Sequence, residues 1–211
     1  MPNTLHIITP VSRPKNLPLI FVNIRETLNN LSINWYLSYD SDVPVQCDDL
    51  KLPKEDGNLK IKEFTSSIKS KYGDTNRNVV LDYLSNSPDI SSNDWIYFLD
   101  DDNFIHPNLE SIILRFDSYP NVLWIMFRQV LRNGDLYLEP LFPPMLNRID
   151  TGNNLLRFST IGSARQETTI GKANDYIFFS RVYNNLCKKY KNPEEYVVLL
   201  DEVGAYYNYL R

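Results

Sequence analysis

The chain has 211 residues, 43% of them apolar, a net charge of -4 and two cysteines. That apolar share supports a substantial core and excludes a disordered chain. The acidic balance, without any basic block, excludes nucleic acid as the main partner.

Cys47 and Cys187 have no metal-ligand spacing, so a reducing compartment, or at most one disulfide, is expected. Residues 17–24 form the most apolar stretch near the N-terminus, but they are too few to span a bilayer, and Pro18 and Asn23 interrupt them. No signal peptide or membrane span is therefore expected, and the reading is a cytoplasmic protein or a soluble piece of a longer one.

In chain order, residues 5–9 predict a buried strand stopped by Pro10, with residues 10–14 as the loop at its carboxyl end. Apolar residues at 17, 20, 21, 24, 28 and 31 have helical spacing and predict a helix over 17–31. Residues 33–39 are a second strand, closed by Asp40, Ser41 and Asp42. This β-α-β order favours a parallel sheet with a right-handed crossover. Residues 43–59 read as irregular surface and residues 61–71 as weakly helical. An amphipathic helix is expected over 79–84; Asp74 or Thr75 would cap it, and its first turn could hold an anion.

Residues 95–99 form a short run of aromatic and β-branched residues suited to a strand buried on both faces. The run ends in Asp100, Asp101 and Asp102. Three crowded carboxylates at the end of a buried strand need neutralising. A divalent cation does this, and oxygen-only ligands select Mg²⁺ or Mn²⁺ over zinc. A solvated acidic turn is the plain alternative.

Further on, a helix is expected over 108–116, opened by Pro107 and capped near His106. Strands are expected over 122–128 and 136–138, joined by a turn at 132–135, and residues 139–144 are extended. Gly152, between Asp150 and Asn153, suits a close backbone approach. Residues 161–171 read as a mobile loop, 173–190 as a long helix starting at Asn174 and Asp175, and 197–200 as a strand. An aromatic ending (Tyr206, Tyr207, Tyr209) suggests a longer natural chain.

No P-loop and no G-x-G-x-x-G is present. His6 lies inside the first strand and reads as a core residue; His106 reads as a helix start rather than a metal ligand. Three loops, at 10–13, 40–42 and 73–78, should converge. There Asp40 or Asp42, with Pro10 and Tyr39, suits a nucleobase, and Arg13 and Arg77 suit phosphate or ribose.

Ile8-Thr-Pro-Val-Ser-Arg13, Asn34-Trp-Tyr36, Asn76-Arg-Asn78 ahead of a Val/Leu helix, and Tyr97-Phe-Leu-Asp-Asp-Asp-Asn103 occur in this order. Together they resemble the GT-A glycosyltransferases, and are most similar to the glucuronyltransferase-type branch, whose DXD-type motif is also Asp-Asp-Asp-Asn. Asp150-Thr-Gly-Asn153 and Asn174-Asp175 resemble acceptor-side motifs of bacterial-type GT-A enzymes. Without an anchor, the chain also resembles the soluble glycosyltransferases with which large algal viruses build capsid glycans.

The resemblance implies an α/β fold: a single GT-A-like domain over 1–211 with a mixed, mostly parallel sheet. Its nucleotide-binding half would cover about 1–103 and its acceptor-binding half about 104–211. It implies metal-dependent transfer of a sugar from a nucleotide-diphosphate sugar, a UDP-sugar, to an oligosaccharide or glycoprotein. Asp102, with Asp100, would bind Mn²⁺ or Mg²⁺. Pro10, Arg13, Asp40, Asp42, Arg77, Asn78, Asp100 and Asp101 would hold the nucleotide sugar. Asp175 and Asp150 would serve catalysis on the acceptor side, Asp175 as general base if the enzyme inverts; a helix N-cap is the other reading of Asp175. After Asp150 the chain leaves the glucuronyltransferase pattern, which leaves stereochemistry and base open. A sugar nucleotidyltransferase is disfavoured because the 10–15 loop has Arg13 and Lys15 but no glycine. A non-catalytic carbohydrate-binding module, with aromatic platforms, is the third reading.

Overall fold

In the computed structural model, which describes residues 3–43, 47–69, 73–168 and 173–211, the apolar runs pair into one ten-stranded mixed sheet. Its strands are β1 (Leu5–Val11), β2 (Ile33–Tyr39), β3 (Glu55–Asp56), β4 (Leu59–Thr65), β5 (Trp95–Phe98), β6 (Phe104–Ile105), β7 (Trp124–Val130), β8 (Leu136–Leu138), β9 (Asn154–Arg157) and β10 (Val197–Tyr206). They lie in the order β3-β4-β2-β1-β5-β9-β7-β10-β6, with β8 pairing β7. The helices are α1 (Leu17–Thr27), α2 (Asp74–Asn86), α3 (Asn108–Asp117), α4 (Phe158–Ile161) and α5 (Asn174–Lys189).

Alternate residues of the central strands face opposite sides. Trp95, Tyr97 and Leu99 pack with α1 and α3 through Ile20, Ile24 and Ile112. Ile96 and Phe98 pack with α2 and α5 through Leu81, Phe178 and Val182. Each such fully buried side chain contributes about 1.5–3 kcal/mol. The expected α/β fold, with helices flanking a mixed central sheet, is therefore present.

Strand direction positions the site. β4, β2, β1 and β5 run parallel. β9 is antiparallel to both β5 and β7, which turns β7, and with it the parallel β10, the same way as β5. The carboxyl ends of β1, β2, β5, β7 and β10 therefore share one edge with the amino end of β9. Open α/β sheets bind ligands beyond that edge.

Several local expectations are corrected. Residues 59–65, expected as irregular surface running into a weak helix, form strand β4, whose alternating exposure suits a position near the sheet edge. Pro10 does not stop β1: it pairs with Ser38, and β5 has already ended at Phe98, so no neighbour needs the missing N–H. α2 starts at Asp74, five residues before the expected 79, with Gly73 at the N-cap and no side-chain cap, so neither Asp74 nor Thr75 caps it. α1 stops at Thr27 rather than 31, and β10 runs on to Tyr206. His106 does serve the start of α3, its Nδ1 accepting from the Asn108 N–H at 3.2 Å.

His6 is a buried core residue between the Tyr36 hydroxyl at 3.0 Å and Asp94 at 3.2 Å. Both cysteines are free. Among the described residues, no helix is long and apolar enough to cross a membrane.

Candidate active site

A cavity of about 640 Å³ opens at the shared strand edge. Pro10 and Arg13 come from the end of β1, Asp40 from the end of β2, Asp100, Asp101 and Asp102 from the end of β5, and Asn76 and Arg77 from α2. Asp150 precedes β9, Asn174 and Asp175 open α5, Tyr137 lies on β8, and Tyr207, Asn208 and Arg211 follow β10. The three loops expected to converge do so. Asn76 donates to Asp40 at 3.0 Å, and Gly73, at φ +78°, lies so close to Pro10 that a Cβ there would meet it at 2.6 Å.

The three central aspartates have different neighbours. Asp101 is buried and accepts from the Ser12 N–H at 2.7 Å, the Ser12 hydroxyl at 3.1 Å, the Arg13 N–H at 2.5 Å and the Arg13 guanidinium. Its main-chain oxygen accepts from Asn16 at 2.8 Å. Asp101 therefore ties the β5 end to the β1 end. Asp102 pairs with Arg13 at 3.2 Å and with Arg211. Asp100 is the more open of the three and pairs with the buried Arg77, which also faces Asp74 at 3.7 Å.

Asp150 accepts from the Gly152 N–H at 2.8 Å and from Gln129 at 3.3 Å, and anchors a short helical turn over Thr151–Asn153. A Cβ at Gly152 would lie 2.8 Å from the Gln129 amide, so that side chain would have to shift. Asp175 sits in the first turn of α5, whose N-cap is Ala173 with no side-chain cap, so the N-cap reading of Asp175 does not hold.

Two residues assigned to the nucleotide are not brought to the cavity. Asp42 is an exposed partner of Lys69. Asn78 faces the 161–168 segment: it donates to the Gln166 carbonyl at 3.0 Å and accepts from its N–H at 2.7 Å. That segment is further tied by Arg165 to Asp82 at 2.7 Å, so its described part is anchored where a mobile loop was expected; residues 169–171 of that expectation lie outside the described residues. Sequence reasoning missed Tyr137, Tyr207 and Arg211, which only the long-range strand pairing brings to the edge.

Acids outnumber bases on the lining: Asp40, Asp74, Asp100, Asp101, Asp102, Asp150 and Asp175 face Arg13, Arg77 and Arg211. Burial, and then the charge of Asp100, pushes Asp102 above the usual carboxylate range, against the pull of Arg13 and Arg211. Burial pushes Asp175 up, aided by Asp150, and pushes Asp150 up, aided by Asp100. Such a site relieves repulsion by taking protons or a cation.

Among the described residues, no three His, Cys, Asp or Glu side chains form a ready cation cage. Mg²⁺-type sites commonly use one or two carboxylates and complete their shell with substrate phosphate and water. Asp102 and Asp100 fit that donor set. Two further acceptors on the lining, Asn76 Oδ1 and Asn174 Oδ1, are buried without a hydrogen-bond partner.

The fold is GT-A-like. No family model matches the chain, and no curated protein matches it. Solved structures do. S. aureus TarS 1-349 superposes with a TM-score of 0.69 at 14% identity, over 96% of this chain and 60% of that one. The same protein in complex with UDP-GlcNAc gives 0.67 at 12% identity, over 97% and 58%. Mannosyltransferase PcManGT from Pyrobaculum calidifontis, in complex with GDP-Man and Mn²⁺, gives 0.62 at 8% identity, over 99% and 59%. The chain thus spans about 60% of TarS 1-349.

Proposed function

We infer that the protein is a metal-dependent glycosyltransferase using a nucleotide-diphosphate sugar, with a UDP-sugar as donor and a glycan or glycoprotein as acceptor. The observation that carries this is the gathering of the β1, β2 and β5 ends around one acid-rich cavity, on a fold shared with structures solved with UDP-GlcNAc and with GDP-Man and Mn²⁺. The chain would act as one cytoplasmic domain, with the donor side over about 1–103 and the acceptor side over about 104–211.

On the donor side, Pro10 and Asp40, the latter oriented by Asn76, would receive the base. Arg77 holds Asp100 in place, and Asp101 fixes Arg13 beside the cavity. Asp102 and Asp100 would hold Mn²⁺ or Mg²⁺, which supplies charge neutralisation for the departing diphosphate. On the acceptor side, a carboxylate oxygen of Asp175 would take the proton of the attacking hydroxyl if the reaction inverts. Asp150 raises the proton affinity of Asp175 toward the range a base at neutral pH needs.

The decisive experiment is thermal unfolding with a panel of UDP- and GDP-sugars, each with and without Mn²⁺ or Mg²⁺. A nucleotide sugar should raise the melting temperature only when the metal is present, and the same mixture should release free nucleotide slowly by hydrolysis. No stabilisation by any nucleotide, with or without metal, overturns the reading and favours a binding module. Release of pyrophosphate from UTP and a sugar phosphate would favour a nucleotidyltransferase instead.

A further inference from the structure

Tyr137 and Tyr207 stack face to face, with ring centroids 3.7 Å apart and planes 6° from parallel. Tyr207 is fixed from the sheet, its N–H donating to the Val130 carbonyl at 2.8 Å. Tyr137 stands on β8, a short strand that pairs only with β7, and 40% of its surface is exposed. Both residues line the cavity. With one face of Tyr137 resting on Tyr207, only its other face and its edge remain for a ligand. Burial, the bond to Tyr207, and the charges of Asp150 and Asp175 push the Tyr137 hydroxyl above its ordinary value, so the phenol lies within electrostatic reach of both acids.

We propose that the Tyr137–Tyr207 pair is a stacking platform for a pyranose ring of the acceptor, which makes the acceptor a saccharide. This rests on the glycosyltransferase reading and names its second substrate. A pyranose presents an apolar face of C–H groups whose slightly positive hydrogens match the negative face of an aromatic ring. A peptide side-chain hydroxyl or an open polyol phosphate offers no such plane. Asn147 and Asn208 line the same cavity, and their amides would supply donors and acceptors for ring hydroxyls.

Saturation-transfer NMR on the full chain tests this with methyl glucoside, methyl mannoside, methyl galactoside and methyl N-acetylglucosaminide as probes. Glycerol phosphate and a serine peptide serve as controls. At least one glycoside should receive saturation on its ring C–H protons, and the controls should not. Tyr137→Phe and Tyr137→Trp should keep the signal, whereas Tyr137→Ala should reduce it at least about fivefold in a chain that remains folded by circular dichroism. If Tyr137→Ala proves unfolded, Tyr137→Ser and the wild-type ring-proton pattern carry the comparison. Undiminished signal without the ring, no glycoside binding to the wild type, or displacement of the glycoside by free uridine would each overturn the proposal. The donor reading is judged separately, by nucleotide-dependent stabilisation of the wild type, so the two can fail independently.

Discussion

Arg211 donates from Nε to the carboxylate of Asp102, the side chain assigned to the cation. Arg13 reaches the same oxygen at 3.2 Å. Asp102 is buried, while Arg211 is more than half exposed. The guanidinium is therefore free to swing away, whereas the carboxylate is fixed at the end of β5. A cation arriving at Asp102 must compete with Arg211. Arg211→Ala should tighten Mn²⁺ binding without nucleotide by about fivefold, the scale of an exposed ion pair worth up to about 1 kcal/mol. Calorimetric titration with Mn²⁺ alone checks this, and unchanged or weaker affinity would count against competition at that carboxylate.

Asp101 and Asp102 should separate fold from function. Asp101 accepts four hydrogen bonds that join β5 to the β1 loop, and hydrogen bonds to a buried charge contribute about 1.5–3 kcal/mol. Asp101→Ala should lower unfolding free energy by about 3 kcal/mol in urea titrations. Asp102→Ala leaves that joint intact and should instead lower sugar transfer by at least about 100-fold. Transfer at the normal rate in Asp102→Ala would remove the metal assignment.

The central acids were legible because the signal is local: Trp95 to Leu99 is a dense apolar run, and the carboxylates follow without a break. The loops at Pro10 and Asp40 were legible because β-α-β order alone places successive carboxyl ends together. Tyr137, Tyr207 and Arg211 were not, since their position depends on β9 inserting antiparallel between β5 and β7. No local window carries that pairing. Residues 61–65 misled because Lys60, Lys62 and Glu63 break up the apolar run of a strand near the sheet edge, and charge there reads equally as a helix face.

Asp150 and Asp175 give a pH signature. Both carboxyls are raised, so the folded chain binds protons more tightly than the unfolded one. Their stabilising effect is complete below the ordinary carboxylate pKa, near about 4, and is lost as pH rises through the raised values. Metal-free wild type should therefore lose melting temperature from about pH 4 to about pH 8, and Asp175→Asn should flatten that decline. Equal slopes would deny the shift.

In transfer assays the same coupling would act on rate. If Asp175 is the base, it works only when deprotonated, and the charge of Asp150 is, after burial, the largest cause of its raised proton affinity. Asp150→Asn should move the acidic limb of the kcat/KM profile to lower pH. A limb that stays in place, with a uniformly lower rate, would make Asp150 a positioning residue only.

Gly73 links the α2 start to the β1 end at the cavity. Its φ of +78° lies in the left-handed region, where a Cβ costs about 1–2 kcal/mol. Here the added carbon would also stand 2.6 Å from the Pro10 ring, a rigid group that cannot turn aside. Relief comes only by parting α2 from the β1 end, which carries Arg77 away from Asp100. Gly73→Ala should thus lower stability by about 2 kcal/mol and weaken nucleotide-dependent thermal stabilisation more than Mn²⁺ binding alone. Gly57, also at positive φ but with no atom within 4 Å of an added Cβ, supplies the control. Gly57→Ala should cost only the backbone part and leave nucleotide binding intact. Equal effects of the two substitutions on nucleotide binding would show that the Pro10 contact does not shape the proposed base pocket.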